Sequence, residues 1–174
     1  MRMLFSIDLK DYDPAAPRFV RPSVRGIICR EGKIAMVHSL KLDYYKFPGG
    51  GIEPGEDPVT ALCREVREEA GLTVKPETVR PYGRVHRIQR GQLGDTFVQD
   101  NDYYLCEVED TPAAQQLDDY EAEEGFTPEW TAPTHAAEVN LRDRSGDARF
   151  DPVYTIMLER EARVLQMLMA EGLV

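Results

Sequence analysis

Five glutamates crowd one short stretch, GGGIEPGEDPVTALCREVREEAGL, which runs from Gly49 to Leu72. They are Glu53, Glu56, Glu65, Glu68 and Glu69, the last three within five positions. Carboxylates this close serve either as a solvated helix face or as hard oxygen donors to a divalent cation such as Mg²⁺, which keeps waters and substrate phosphates in its shell as well. Asp57-Pro58 has the form of an N-cap followed by proline at the first helical position, and Gly71 that of the residue just past a helix end, so a helix is expected over 58–70. At about 100° per residue, Val59, Leu62, Cys63, Val66 and Ala70 form a core-facing stripe, and Glu65, Glu68 and Glu69 share a second arc beside it. Taken alone, EVREE reads as a wet face, with Arg64 and Glu68 as an ordinary i,i+4 pair. Two costs oppose that reading. Glu65 repels Glu68 and Glu69 at i+3 and i+4, and acids in the last turn oppose the helix dipole. A bound cation offsets both. Gly49, Gly50 and Gly51 precede the helix, where glycine lets a ligand approach the backbone and carbonyl oxygens can complete a coordination shell.

Read as one pattern, the stretch is Gly50, five residues, Glu56, seven residues, then Arg64-Glu65-Val66-Arg67-Glu68-Glu69-Ala70-Gly71-Leu72. It resembles the Nudix box, G-x5-E-x7-R-E-U-x-E-E-x-G-U with U bulky and aliphatic, and every specified position is matched. The resemblance implies an α/β (α+β) fold, a Nudix-type α/β/α sandwich with a mixed β-sheet. It also implies a hydrolase that uses Mg²⁺ or Mn²⁺ to cleave a nucleoside diphosphate linked to another moiety. By position it makes Glu65 and Glu69 metal ligands, Glu68 a further ligand directly or through water, and Gly50 a carbonyl ligand. Arg64 would orient the glutamates through an ion pair with Glu56, and Glu65 is one candidate for the base. A second local match, Glu124-Gly125-Phe126-Thr127-Pro128-Glu129-Trp130, resembles E-G-x-x-x-E-W of MutT-type members, where the first glutamate joins the metal site. A Nudix-fold module that binds a nucleotide without hydrolysing it is the alternative, and an acidic interaction domain without metal is a third.

The elements that must position these groups follow from pattern and punctuation. Residues 3–8 form a short strand, and Pro14, Pro17 and Pro22 mark an extended linker, so residues 1–22 are strand plus linker. Val24–Arg30 and Lys33–Leu40 are joined by a Glu31-Gly32 hairpin turn, and Tyr44–Phe47 is a strand ended by Pro48. Thr73-Val74, Tyr82–Arg90, Thr96–Glu109 and Phe126–Thr131 read as strands, and Pro133–Leu141 as a short helix. Asp151-Pro152 starts a C-terminal helix over 152–171, with Val153, Ile156, Met157, Val164, Leu165 and Leu168 as its core face. The acidic segment 110–125 lacks an apolar pattern and is either disordered or a lid.

The whole chain, 1–174, is expected to be one domain. A net charge of −10 disfavours binding to a nucleic-acid polymer or to a membrane surface, while a small nucleotide diphosphate derivative is admitted once a cation inverts the local sign. Cys29, Cys63 and Cys106 lack metal-ligand spacing and read as reduced core residues. With no signal-peptide pattern and no long apolar run, a cytoplasmic location is expected, and a homodimer is allowed. Markers of substrate are absent around His86–Arg90. Arg84, Arg87 and Arg90 are candidate phosphate grips on one strand face, or else a solvated face.

Overall fold

The computed structural model describes residues 1–150 and 152–174, so the Asp151 cap and the side chain of Val153 lie outside it. The described strands are β1 (Met3–Asp8), β2 (Arg18–Val20), β3 (Ser23–Ile27), β4 (Cys29–Arg30), β5 (Lys33–Ser39) and β6 (Tyr44–Lys46), then β7 (Arg80–Arg90), β8 (Thr96–Leu105) and β9 (Phe126–Thr131). The helices are α1 (Pro58–Ala70), α2 (Asp119–Glu124), α3 (Pro133–Asn140) and α4 (Pro152–Ala170). In the first sheet β8 is antiparallel to β7 and parallel to both β2 and β3, and β1 runs parallel to β7, so the sheet is mixed. In the second, β5 lies between β6 and β9, with β4 returning on β5 through the hairpin. At that turn Glu31 and Gly32 both have positive φ, 51° and 71°, as a tight hairpin requires.

Successive strand residues face opposite ways, so a sheet covered on both faces needs apolar side chains on both. Ile27, Ile34, Met36, Phe47 and Tyr103 pack on α3 and α4. Their chain neighbours Ile28, Ala35 and Tyr104 pack on α1 through Ala61, Leu62 and Val66. The result is a helix–sheet–helix sandwich. α1 begins where Asp57 Oδ1 accepts from the N–H groups of Val59 and Thr60, at 3.0 and 3.1 Å, and ends at Gly71 with φ 62°.

Several elements differ from expectation. β2 lies inside the proline-rich linker. It is three exposed residues held by pairing to β8 rather than by any apolar pattern. Thr73-Val74 contributes a single bridge, Val74 to Val108. Of the cysteines only Cys106 is buried; Cys29 is exposed and Cys63 intermediate. On α4, Val164, Leu165 and Leu168 are buried, whereas Ile156 and Met157 are half-exposed. The acidic segment is ordered against α1. Gln115 Nε2 donates to Glu69 O at 2.5 Å, Gln116 N to Glu68 O at 2.9 Å, and Ala113 N to Gly71 O at 2.7 Å. These bonds satisfy carbonyls that a helix C-terminus leaves open. The segment then turns into α2. Its Asp118 and Glu121 have the spacing of a capping box, and Glu121 Oε2 accepts from Asp118 N at 3.0 Å. Among the described residues no helix is long and apolar enough to cross a membrane.

Candidate metal centre

β6 delivers the chain into Phe47-Pro48-Gly49-Gly50, and this loop lies across the carboxylate arc of α1. Gly50 is pressed on Glu65 so closely that a Cβ there would stand 2.2 Å from Glu65 Oε2. Gly50 O accepts from Val24 N at 2.9 Å, which fixes the loop to β3 and leaves the carbonyl its second lone pair. Glu69 is buried, 3% exposed; its oxygens accept from Lys46 Nζ at 2.7 Å and from Gly49 N at 2.9 Å.

Arg64 sits at the centre of the polar network. Its Nε and Nη2 donate to the two oxygens of Glu56 at 3.0 and 2.8 Å, a bidentate fork, and Nη2 also donates to Gly51 O at 3.1 Å. Nη1 donates to Glu65 Oε1 at 2.8 Å and to Glu68 Oε2 at 3.2 Å. The bonds from Arg64 hold the Glu56 carboxyl below its ordinary range. Glu65 moves the other way: burial raises it, Arg64 opposes that, and the neighbouring Glu69 charge adds to the rise.

The structure brings a further acid here. Glu121 of α2 is buried, and its Oε1 lies 3.9 Å from Lys46 Nζ. Burial raises its pKa, and the Glu69 charge adds to the rise. Together with Glu53, Glu65, Glu68, Glu69 and Asp118 it lines a polar cavity of about 610 Å³. Glu124 is not brought to this cavity. One helical turn on, its carboxylate accepts from Tyr44 OH and Tyr154 OH, both at 2.7 Å, and from Ser39 Oγ at 3.2 Å, a bracing role between β5, β6 and α4. The Asp118-x-x-Glu121 capping pattern was the sequence signal for a helix that places Glu121, one turn before Glu124, on this cavity.

Of the three arginines expected on one face of β7, three apart on a strand whose side chains alternate with a period of two, Arg84 stands apart from Arg87, while Arg87 and Arg90 line one cavity. Arg84 pairs with Asp102 and Asp100. Arg87 points to the opposite face, is buried, donates to Gln89 at 2.7 Å and lies over the Phe97 ring. Arg90 is exposed at the strand end.

The donor set suits a hard divalent cation: carboxylate oxygens, a backbone carbonyl and a glycine cradle that a Cβ would fill. Among the described residues no three ligand-type side chains stand preassembled around one point. Arg64 and Lys46 take the carboxylate bonds instead, and each ionised carboxylate keeps lone pairs beyond those bonds.

The family model for the NUDIX domain matches residues 20–153. Among curated proteins, the RNA pyrophosphohydrolase of Xylella fastidiosa (strain 9a5c) is 37% identical over 92 residues, covering 52% of this chain and 47% of that protein. That of Xanthomonas campestris pv. campestris (strain B100) is 35% identical over 91 residues, covering 52% and 43%. The match thus spans about half the length of these relatives. Among solved structures, a NUDIX hydrolase from Nitrosomonas europaea superposes with TM-score 0.56 at 18% identity, covering 84% of this chain and 90% of that one. A MutT NUDIX hydrolase from Burkholderia pseudomallei gives 0.50 at 19% identity, covering 80% and 98%. These likenesses concern the fold.

Proposed function

The chain belongs to the NUDIX-domain family, and on that premise we propose that it is a divalent-metal-dependent hydrolase of the phosphoanhydride in a nucleoside diphosphate linked to another moiety. The observation that carries this reading is the gathering of Glu65, Glu68, Glu69 and Glu121 around one polar cavity beside the glycine backbone. Glu65, Glu68, Glu69 and the Gly50 carbonyl would hold Mg²⁺ or Mn²⁺, with Glu121 in the place the sequence pattern gave to Glu124. When bound, such an ion neutralises diphosphate charge and lowers the pKa of a coordinated water. Arg64 and Glu56 fix the orientation of Glu65, and Lys46 and Gly49 N fix that of Glu69. Glu65 is the proton acceptor in this scheme, held in place by Arg64.

The test is a phosphate-release screen with Mg²⁺ and with Mn²⁺ over nucleoside triphosphates, nucleotide sugars, ADP-ribose, NADH and dinucleoside polyphosphates. Glu121→Gln is expected to lower turnover on the active substrate by about tenfold or more, while Glu124→Gln lowers the melting temperature and leaves kcat within about twofold. The opposite pattern returns the site role to Glu124.

Metal binding is also expected to raise the melting temperature at neutral pH. The sign with pH follows from the raised pKa values of Glu65 and Glu121. Their contribution to the metal-free fold is present below the ordinary carboxylate range and is lost as pH rises through the raised values, because burial and Glu69 oppose their charge. A cation reverses that loss at neutral pH. Acidification protonates the ligands, so the metal-induced shift fades, and it starts to fade above the ordinary carboxylate range. A shift that stays constant down to strongly acid pH places the metal elsewhere.

The names of the curated relatives favour a second reading, in which the nucleotide is the 5′ end of an RNA. The net charge of −10 is the physical argument against a polymer. Release of pyrophosphate from a 5′-triphosphorylated oligoribonucleotide at a higher kcat/KM than from any mononucleotide decides for the polymer.

A further inference from the structure

The strand that feeds the glycine loop carries a lysine at a core position. In Tyr44-Tyr45-Lys46-Phe47, Tyr45 and Phe47 pack on the side of α3 and α4. Side chains alternate along β6, so Lys46 between them points to the α1 side. There it meets Val37, its partner across the β5–β6 pairing, and Phe126. Lys46 is 7% exposed. Lysine is rarely buried this far, because taking an ammonium out of water is costly unless it is paired.

The ammonium has three neighbours. Nζ donates to Glu69 Oε1 at 2.7 Å, lies 3.9 Å from Glu121 Oε1 and stands 4.1 Å from the centroid of the Phe126 ring. Two carboxylates and the face of an aromatic ring make a receptor for a cation. The carboxylates come from different elements, α1 and α2. Both line the acidic cavity, and Lys46 meets them from the sheet side. On Glu69 it engages the oxygen that the Gly49 N–H does not use. Arg64 is committed elsewhere: it divides its donors among Glu56, Glu65, Glu68 and Gly51 O. A glutamine at 46 could donate to Glu69, and a methionine could fill the space. What lysine adds to both is charge.

Resting on the proposed hydrolase reading, in which Glu69 and Glu121 belong to the metal site, we propose that Lys46 is a resident cation. Its ammonium fills an inner position between Glu69 and Glu121 that a divalent ion would otherwise take. The site then holds one divalent ion fewer than its carboxylates could support, and Glu69 is oriented before any metal arrives. Lys46 acts through these two carboxylates and is a positioning residue.

The test counts Mn²⁺ bound to the whole chain by calorimetry at neutral pH, without substrate, in wild type, Lys46→Ala and Lys46→Met. Alanine removes the charge and opens the position. Methionine removes the charge and keeps the position filled. Lys46→Ala is expected to bind about one Mn²⁺ per chain more than wild type, and Lys46→Met the same number as wild type. Both variants are expected to melt below wild type in chelator, because Glu69 and Glu121 lose their counter-charge. Mn²⁺ should then raise the melting temperature of Lys46→Ala by about twice the shift seen in wild type, or more. Equal ion counts, or equal melting shifts, in wild type and Lys46→Ala overturn the proposal. So does an equal gain of ions in Lys46→Met, which would make Lys46 a nearby charge and not the occupant of a place. If Lys46→Ala is unfolded in chelator, folding on addition of Mn²⁺ supports the proposal and failure to fold overturns it. The two readings fail separately. A further ion in Lys46→Ala, with no turnover of any substrate by wild type, sinks the hydrolase and keeps the resident cation. Turnover by wild type with an unchanged ion count in Lys46→Ala does the reverse.

Discussion

Gly49→Ala is expected to destabilise the fold and Gly50→Ala to abolish turnover in a folded protein, although the two glycines are adjacent. At Gly49 the backbone has φ 141°, and a Cβ would lie 2.2 Å from Val24 O and 2.9 Å from Arg25 Cα. Both neighbours are backbone of β3, which cannot rotate away. Conformational strain and the shift of a core strand together should cost about 3 kcal/mol or more. For a chain of this size that lowers the melting temperature by roughly 10 °C. At Gly50 the nearest atoms are Oε2, Cδ and Oε1 of Glu65, at 2.2, 2.5 and 2.7 Å. These are the far end of a flexible side chain, and Glu65 can swing aside at small cost to the fold. The displaced carboxylate is then lost to the site. Thermal melts and kcat on the substrate found in the screen separate the two cases. Full activity in folded Gly50→Ala would mean that contact between loop and carboxylate has no part in the chemistry.

Glu65→Gln is expected to lower kcat by about 10²- to 10⁴-fold, the range over which a positioned acid or base contributes. Shape is conserved, but the negative charge and the proton acceptor are removed. The melting temperature at neutral pH should not fall. Burial and Glu69 both oppose the ionised form of Glu65, and Arg64 keeps Glu56, Glu68 and Gly51 O as partners. Glu69→Gln should differ in one respect. Turnover falls again, but now the melting temperature falls too, because buried Lys46 loses the charge that its Nζ meets at 2.7 Å. Undiminished turnover in Glu65→Gln would remove it from the mechanism whatever its neighbours do.

The cap at Asp57, the end of α1 at Gly71, the apolar stripe of α1 and the carboxylate arc beside it all followed from the sequence. Each depends on residues within a few positions of one another, and the 3.6-residue period alone decides which of them share a face. The hairpin at Glu31-Gly32 is local in the same sense.

The rest needed the folded chain. Tertiary contact decided that Glu121, rather than Glu124, faces Glu69, because Gln115 and Gln116 anchor the acidic segment on the end of α1 before α2 begins. It decided that Glu161, fully buried on the apolar stripe of α4, accepts from Phe47 N at 3.0 Å and so ties α4 to the glycine loop. A charge on that stripe was visible in the sequence, and Arg160 beside it pairs with it, but the Phe47 N–H that it accepts from lies 114 residues away. It also brought Phe19 and Met157, from opposite ends of the chain, to the two sides of one cavity. The physical reason is the same throughout. Spacing along the chain fixes which side chains share a face, but which faces meet depends on strand pairing and helix docking between distant segments, which spacing does not encode.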